Sequence, residues 1–271
     1  MYEFMNNLLK DHDNGVFVFE ALKFAHFFYL GLILAGILAG FFLLKNKSQE
    51  SKLKLADRLV TIALILYIAD FFLMPFSEHT IDMDKLPFHI CTSMSIMCFA
   101  SRRVKCLAKF KTTFTIMGLV GALMYLVYPS GVATADGYSY RIVQTCVYHG
   151  LMIAQGVFAI AYGECDLRWK TAKYDLVAIV ALAVWAFLGN TLYAGTVYEE
   201  CTVAEGLTHS VAVYDHAPNW FFVKHDALYL ISDEIDVYFV PFAMIAVIFG
   251  MCALVRFIGI KSKAPSAVVE E

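Results

Sequence analysis

The 271-residue sequence predicts an all-α, polytopic membrane protein with about seven transmembrane helices. Three observations support this fold class: 60% of the residues are hydrophobic, the mean hydropathy is +0.64, and the apolar residues fall into seven runs. Ordinary soluble domains contain about 45–50% apolar and about 25% charged residues, whereas only 17% of this chain is charged. We therefore expect lipid to solvate much of its surface.

The seven apolar runs predict the spanning helices. A helix that crosses the hydrocarbon core needs about 20 mostly apolar residues. The third run is shorter, so we expect it either to begin earlier, near Asp84, or to be shielded by its neighbours. The predicted helices cover residues 22–44, 55–76, 87–100, 110–128, 140–162, 174–193 and 237–258.

The basic residues predict the orientation of the bundle. They cluster after the first, third, fifth and seventh runs, and cytoplasmic connections carry an excess of Lys and Arg. We therefore predict that the N-terminus is outside and the C-terminus is cytoplasmic, and we use "outer" for the opposite side from these clusters. The clustered residues are Lys45, Lys47, Lys52, Lys54, Arg58, Arg102, Arg103, Lys105, Lys109, Lys111, Arg168, Lys170, Lys173, Arg256, Lys261 and Lys263.

The chain divides into three predicted regions. Residues 1–21 form an N-terminal outer segment that could lie on the membrane as an interfacial helix. Residues 22–258 form the transmembrane bundle, which includes an acidic outer loop at 197–236, and residues 259–271 form a cytoplasmic tail. Within the loop, residues 219–223 include Trp220 and resemble an interfacial helix or a re-entrant cap, because Trp and Phe favour the headgroup zone.

Neither charge nor cysteine content indicates a common soluble function. The net charge of −3 does not point to nucleic acid as a partner. The seven cysteines lie mostly in apolar runs and form no CxxC pairs or metal-ligand spacing. We therefore predict neither a disulfide framework nor a metal site.

Polar residues inside the predicted helices are candidates for function, because a central charge costs roughly 2.5–3.5 kcal/mol on insertion scales. His149 lies about nine residues, or some 14 Å, from the outer end of the fifth helix. Cys91 lies about one turn inside the third helix, and His89 precedes it by two residues. Asp70 and Asn190 lie near the outer ends of the second and sixth helices.

Cys91 and His149 have the chemistry of a nucleophile and a base. Pro87 suits the first turn of a helix, and a thiol in that turn faces unpaired N–H groups that favour its reactive form. Ser95 follows Cys91 at i+4, while Thr145 shares a helix face with His149. A histidine within reach of the thiol could accept its proton.

Each candidate also has a structural interpretation. A single cysteine in a membrane helix is usually a small packing residue, and a histidine there is as often a structural hydrogen-bonding group as a functional one. Asp70 is near enough to the interface to be solvated or paired, and Asn190 could join two helices by a hydrogen bond. The residues alone leave both interpretations open.

The segment Leu86-Pro87-Phe88-His89-Ile90-Cys91 resembles the Leu-Pro-x-His-x-Cys signature of the bacterial YwaF-like proteins and of their eukaryotic relatives of the transmembrane protein 164 kind. The resemblance covers about residues 55 to 258. The later matching elements are Gly118-Leu119-Val120-Gly121-Ala122, Tyr128-Pro129, Tyr148-His149-Gly150 and Asn190-Thr191-Leu192-Tyr193. The acidic outer loop is longer than we expect for the bacterial members.

The resemblance implies a phospholipid acyltransferase that works through an acyl thioester. Cys91 would be the nucleophile and His149 the general base. A membrane hydrolase that uses the same site, with water as the acceptor, is the nearest alternative. The residues expected to bind or orient the substrate are His89, Ser95, Thr145, Asn190 and Asp70.

The implied partners are membrane phospholipids and lysophospholipids, with no cofactor and no nucleic acid. The expected location is the plasma membrane for a prokaryotic protein and an endomembrane for a eukaryotic one. Two functions of other classes stay open: a lipid or small-solute transporter or receptor, and a structural or assembly partner. Topology alone does not decide among them, although the sequence lacks the inverted repeat and broken-helix pairs typical of many transporters.

Overall fold

A computed structural model describes residues 17–73, 86–127, 129, 135–193, 201–204, 207–209, 220 and 233–263. Within this part of the chain there are seven α-helices, so the predicted all-α fold with seven helices is confirmed. The helices are α1 (Phe24–Leu44), α2 (Gln49–Leu73), α3 (Ile90–Ser101), α4 (Lys111–Val127), α5 (Tyr140–Ala161), α6 (Lys173–Leu192) and α7 (Asp233–Lys263).

Short elements connect the helices. Two 3₁₀ helices, Lys105–Phe110 and Trp169–Thr171, lead into α4 and α6. Two small antiparallel sheets pair β1 (Val18–Phe19) with β2 (Ala135–Asp136), and β3 (Cys201–Ala204) with β4 (Leu207–His209).

Five segments among the described residues are long and apolar enough to cross a membrane, which supports a polytopic membrane protein. These segments are Phe24–Leu44, Lys105–Val127, Tyr140–Ala161, Trp169–Leu192 and Phe239–Ser262. Helix α2 has 25 residues but carries Asp57, Arg58 and Asp70. Helix α3 has only 12 residues.

Helices α2, α3, α4 and α5 form the core of the bundle. Helix α5 packs against α2 and α4, and α3 packs against the same two helices. Close approach depends on glycine at Gly121 of α4, where an added Cβ would lie 2.9 Å from the Ile90 side chain of α3. Helix α1 packs against α5, and α7 packs against α4 and α6, so these helices enclose the core.

The short helix α3 begins inside the bundle. Its 12 residues span about 18 Å, well below the roughly 30 Å of the hydrocarbon core. The prediction that Pro87 lies in its first turn is wrong, because the helix begins at Ile90 with His89 as the N-cap. The N–H of Phe88 donates to the Leu86 carbonyl (2.8 Å) and closes a three-residue turn around Pro87, which delays the helix.

Buried ion pairs join the helices at the predicted cytoplasmic end. Arg102, just after α3, donates two hydrogen bonds to Glu164, which follows α5. Arg256 of α7 donates to both carboxylate oxygens of Asp175 in α6, at 2.5 and 2.7 Å. A charge buried with its partner and additional hydrogen bonds avoids the cost of an isolated buried charge.

Several predicted boundaries differ from the structure. Helix α2 begins at Gln49 rather than 55, and α7 runs from Asp233 to Lys263 rather than from 237 to 258. Both extensions are polar turns at the ends of apolar runs, which a hydropathy pattern does not capture. Residues 1–16 and most of the predicted interfacial segment 219–223 lie outside the described residues, but Trp220 is described and is fully buried.

Candidate functional site

The turn before α3 places Cys91 at the start of a helix within the bundle. Side chains donate hydrogen bonds to the backbone carbonyls of this turn. Ser93 Oγ and Trp185 Nε1 each donate to the Pro87 carbonyl at 2.7 Å. Thr92 Oγ1 donates to the carbonyls of Leu86 and His89. Irregular backbone at membrane depth is tolerated only when protein or water satisfies it, and this local sequence supplies the necessary donors.

The first turn of α3 presents backbone N–H groups beside Cys91. The first bond in the helical pattern runs from the Ser93 N–H to the His89 carbonyl (2.9 Å), and the His89 side chain does not cap the helix. The N–H groups of Ile90, Cys91 and Thr92 precede that bond, at the positive end of the helix dipole. The Cys91 side chain is buried and belongs to the main hydrophobic core.

His149 is held in one tautomer by its own helix. Nδ1 lies 2.8 Å from the Thr145 carbonyl oxygen, one turn earlier in α5. A carbonyl can only accept, so Nδ1 carries the proton, and the lone pair of the neutral ring lies on Nε2. This arrangement makes the buried Nε2 atom the basic nitrogen of His149.

Two tyrosines contact the His149 ring, and a third packs against one of them. The Tyr125 ring stacks on the imidazole with centroids 4.1 Å apart and planes 4° from parallel. Tyr148 meets the same imidazole edge to face at 5.0 Å, and Tyr67 of α2 packs against Tyr148 at 6.4 Å. Residues from α2, α4 and α5 therefore form one aromatic cluster around the histidine.

Tyr148 joins the histidine to the cysteine. Its hydroxyl donates a 2.8 Å hydrogen bond to the carbonyl oxygen of Cys91, and the side chain of Ser95 also hydrogen-bonds to this phenol. The turn of α5 that carries His149 is thus in direct contact with the first turn of α3. Through Tyr148 the structure links Cys91 and Ser95 of α3 to the turn of α5 that carries Thr145 and His149.

The other three predicted site residues have different surroundings. Asp70 is buried near the outer end of α2 and hydrogen-bonds the Tyr140 hydroxyl at the start of α5. His89 is half-buried, and its backbone carbonyl supports the first turn of α3. Asn190 binds the backbone of Trp220: its Oδ1 accepts from the Trp220 N–H (2.9 Å), and its Nδ2 donates to the Trp220 carbonyl (3.0 Å).

The contact between Asn190 and Trp220 supports the turn before Cys91 from the outer side. Phe88 stacks between Trp220 and Trp185, at centroid distances of 4.6 and 4.9 Å. Gly189, next to Asn190, makes room for Phe88, because an added Cβ would lie 2.4 Å from its ring. The predicted outer loop therefore contributes at least Trp220 to the packing around the Leu-Pro-Phe-His turn.

Tyr125 and Arg141 lie beside His149 and Thr145, but neither has an unusual feature in the sequence. Tyr125 lies one turn after Gly121, between the two resembling elements that end at Ala122 and begin at Tyr128, and this position is its one signal in the sequence. Arg141 precedes Thr145 and His149 at successive four-residue intervals in α5, so all three share a helix face. Arg141 is half-buried and interacts electrostatically with Tyr125.

Comparison with known proteins identifies the family. A comparison with curated proteins and a comparison with solved structures gave no match. The TMEM164 family matches residues 21–260, which include all seven helices except the end of α7, together with both Cys91 and His149. The chain therefore belongs to the TMEM164 family.

Proposed function

We propose that the protein is a membrane-embedded phospholipid acyltransferase that transfers a fatty acyl chain through a thioester on Cys91. The observation that carries this proposal is the tautomer of His149, in which Nδ1 donates to Thr145 and the basic Nε2 lies in the turn that contacts Cys91. A general base needs an unprotonated nitrogen, and the neutral ring with its proton on Nδ1 has one at Nε2. Membership of the TMEM164 family agrees with the proposal.

In the first half-reaction Cys91 takes the acyl chain from a donor phospholipid. As Sγ attacks the ester carbonyl carbon, its proton passes to His149 Nε2. The backbone N–H groups at the start of α3 supply donors for the developing oxyanion. The carbon–oxygen bond of the ester then breaks, and the departing lysophospholipid oxygen takes the proton from Nε2.

In the second half-reaction the acyl chain leaves Cys91 for a lysophospholipid. His149 Nε2 takes the proton of the acceptor hydroxyl, and the hydroxyl oxygen attacks the thioester carbon. The carbon–sulfur bond breaks and the thiol regains its proton from Nε2. Water in place of the lysophospholipid would give a free fatty acid, so exclusion of water from the buried site favours transfer over hydrolysis.

The position of the pair suits a phospholipid ester. Cys91 and His149 lie below the outer end of the bundle, where the ester bonds of a lipid in the outer leaflet are expected. Ser95 and Thr145 orient the pair through Tyr148 and through the His149 ring. Helices α1 and α6 expose apolar side chains such as Leu32 and Val184. These surfaces would contact membrane lipids, which are the proposed substrates.

The decisive experiment is intact mass spectrometry of the purified protein after incubation with mixed phospholipids. We expect the wild type to gain one fatty-acyl mass and to release lysophospholipid, and we expect Cys91→Ala to do neither. His149→Asn is the matched control, because the Asn amide can replace the Nδ1–H donor to Thr145 but not the base. We expect this variant to fold and to form little adduct.

The other outcomes separate the alternatives. Free fatty acid without transfer to added lysophospholipid would identify a hydrolase. If the wild type forms no adduct and releases no lysophospholipid, acyl chemistry is overturned. A transporter or a structural protein is then favoured. An adduct of the same size on Cys91→Ala would overturn the nucleophile assignment.

A further inference from the structure

Tyr125 is packed more closely against His149 than an ordinary core aromatic residue needs to be. The two rings are stacked and nearly parallel, with an angle of 4° between their planes and 4.1 Å between their centroids. The rings come from different helices: Tyr125 lies near the end of α4, and His149 lies near the middle of α5. An imidazole that rotates about its Cβ–Cγ bond sweeps out of its plane, so a ring stacked at this distance blocks the rotation.

Thr145 ties both rings to the same point of α5. Its backbone carbonyl accepts the hydrogen bond from His149 Nδ1 at 2.8 Å, and its side chain hydrogen-bonds the Tyr125 hydroxyl. The hydrogen bond fixes which nitrogen carries the proton, and the stacked ring fixes the plane. Loss of the stack would remove the ring that restricts rotation of the imidazole plane.

Tyr148 also contacts the imidazole, but its hydroxyl makes a hydrogen bond to α3. Its ring is perpendicular to that of His149, at 88°, and its hydroxyl is engaged by the Cys91 carbonyl. Tyr148 therefore links α3 and α5, whereas Tyr125 alone covers the face of the imidazole among the ring contacts of the described residues.

We propose that Tyr125 is a positioning residue: its ring holds the His149 imidazole in the orientation and tautomer that keep Nε2 available for the Cys91 proton. This inference rests on the proposed function. The face of the Tyr125 ring restricts the imidazole, and the Tyr125 hydroxyl fixes the ring in place through its hydrogen bond to the Thr145 side chain. A stacked aromatic ring also stabilises the imidazolium that forms when His149 accepts the proton.

The test compares Tyr125→Phe, which keeps the ring, with Tyr125→Leu, which removes it, in the full chain reconstituted in phospholipid vesicles. Small misplacements of a catalytic group cost up to about 100-fold in rate. We expect Tyr125→Leu to lower kcat for acyl transfer by about 10-fold or more with KM unchanged. We expect Tyr125→Phe to restore kcat to within about 3-fold of wild type.

A spectroscopic measurement separates positioning from general damage. Nitrogen-15 NMR of histidine distinguishes Nδ1–H from Nε2–H tautomers, and the His149 signals are assigned by their loss in His149→Asn. We expect the Nδ1–H form in wild type and Tyr125→Phe, and a mixture of tautomers in Tyr125→Leu. Phe41→Leu is the matched control, because Phe41 also packs on α5, against Phe158, but at the cytoplasmic end.

The outcomes distinguish this inference from the proposed function. A Tyr125→Leu protein with wild-type kcat and an intact Nδ1–H signal would overturn the inference alone. A wild type that forms no acyl adduct would overturn the proposed function and, with it, the catalytic role of Tyr125. If Tyr125→Leu does not fold, Tyr125→Met replaces it, since this long flexible side chain fills the space without providing a ring.

Discussion

The hydroxyl of Tyr148 donates a 2.8 Å hydrogen bond to the carbonyl oxygen of Cys91, across 57 positions of sequence. The bond joins the residue before His149 to the first turn of α3, so it links the helix of the proposed base to the helix of the proposed nucleophile. Both partners are buried. A carbonyl in the first turns of a helix normally accepts from the N–H four residues later, and its second lone pair is available to the phenol.

Replacing Tyr148 with Phe removes this bond and keeps the ring contacts. We expect a loss of about 0.5–1.5 kcal/mol in the free energy of unfolding, the usual net contribution of a hydrogen bond. We also expect slower formation of the acyl adduct, because α3 and α5 lose the hydrogen bond that joins them near Cys91. Thermal unfolding in detergent and time-resolved mass spectrometry measure the two effects. Unchanged adduct kinetics would show that the bond serves stability alone.

Arg141 provides a test of substrate class. It lies two helical turns, or about 12 Å along the axis, on the outer side of His149, where the phosphate of a phospholipid with its ester at Cys91 is expected. A guanidinium matches phosphate geometry. We expect Arg141→Gln to raise KM for phospholipid by roughly 10-fold, which corresponds to loss of one charge-assisted hydrogen bond, with kcat unchanged.

The comparison substrate for Arg141 is a diacylglycerol, which carries the same esters without a phosphate. We expect Arg141→Gln to leave its turnover unaltered and Arg141→Lys to recover part of the phospholipid KM. An equal rise in KM for both lipids would contradict a phosphate contact and assign Arg141 to the packing of α5.

Asn190 is expected to stabilise the turn before Cys91 through Trp220. Asn190→Ala leaves the buried N–H and carbonyl of Trp220 unsatisfied, and each such group costs about 1–3 kcal/mol. We therefore expect a clear drop in melting temperature. Thr191→Val is the control, since the neighbouring Thr191 is exposed and donates only to the Phe187 carbonyl of its own helix. Equal melting temperatures for the two variants would refute this role.

A pH-dependent contribution is expected in the connection between α5 and α6. The side-chain hydrogen bond from Arg168 lowers the pKa of Asp166 to about 2 from an ordinary value of 3.8. The carboxylate therefore stabilises the folded state above pH 3.8, and this stabilisation is lost as the pH falls toward 2. We expect Arg168→Gln to lower the melting temperature slightly at pH 7 and to lose its effect near pH 2, as measured by thermal unfolding across this range.

The helices could be predicted because lipid imposes a simple rule on them. Apolar runs of about 20 residues have few alternatives in a membrane, and runs such as Phe24–Leu44 match that rule closely. The start of α3 could not be predicted in the same way, because it depends on donors from Thr92, Ser93 and Trp185 that cap the carbonyls of a buried turn. The Trp185 contact joins residues 98 positions apart.

Residues of the candidate site could be predicted from the sequence only where a polar or ionisable side chain lies in an apolar span. Cys91 and His149 were found because an ionisable residue in a span is rare and because the surrounding motif resembles a known family. Tyr125 was missed because an aromatic residue in an apolar helix is ordinary, and its stacking on His149 depends on the packing of α4 against α5. Asn190 is a buried polar residue whose partner, the Trp220 backbone, lies 30 positions away and has no signal in the sequence.

The ion pair between Asp175 and Arg256 provides the strongest prediction about stability. Both side chains are almost completely buried, at 1% and 0% exposure. Thr113 Oγ1 donates to the same carboxylate at 2.6 Å, and Arg256 also donates to the Asp166 carbonyl and to Thr171. The network joins α4, α6 and α7, so removal of one charged partner leaves the other charge buried among three helices.

We expect Arg256→Met or Asp175→Asn to lower the free energy of unfolding by about 3–5 kcal/mol, the usual cost of a broken buried pair. The double variant should lose less than the sum, because neither charge is then left unpaired. Denaturant titration of the four proteins in detergent gives the coupling energy. Additive losses would mean that the two residues act independently, and that α7 is held to the bundle by its apolar contacts rather than by this pair.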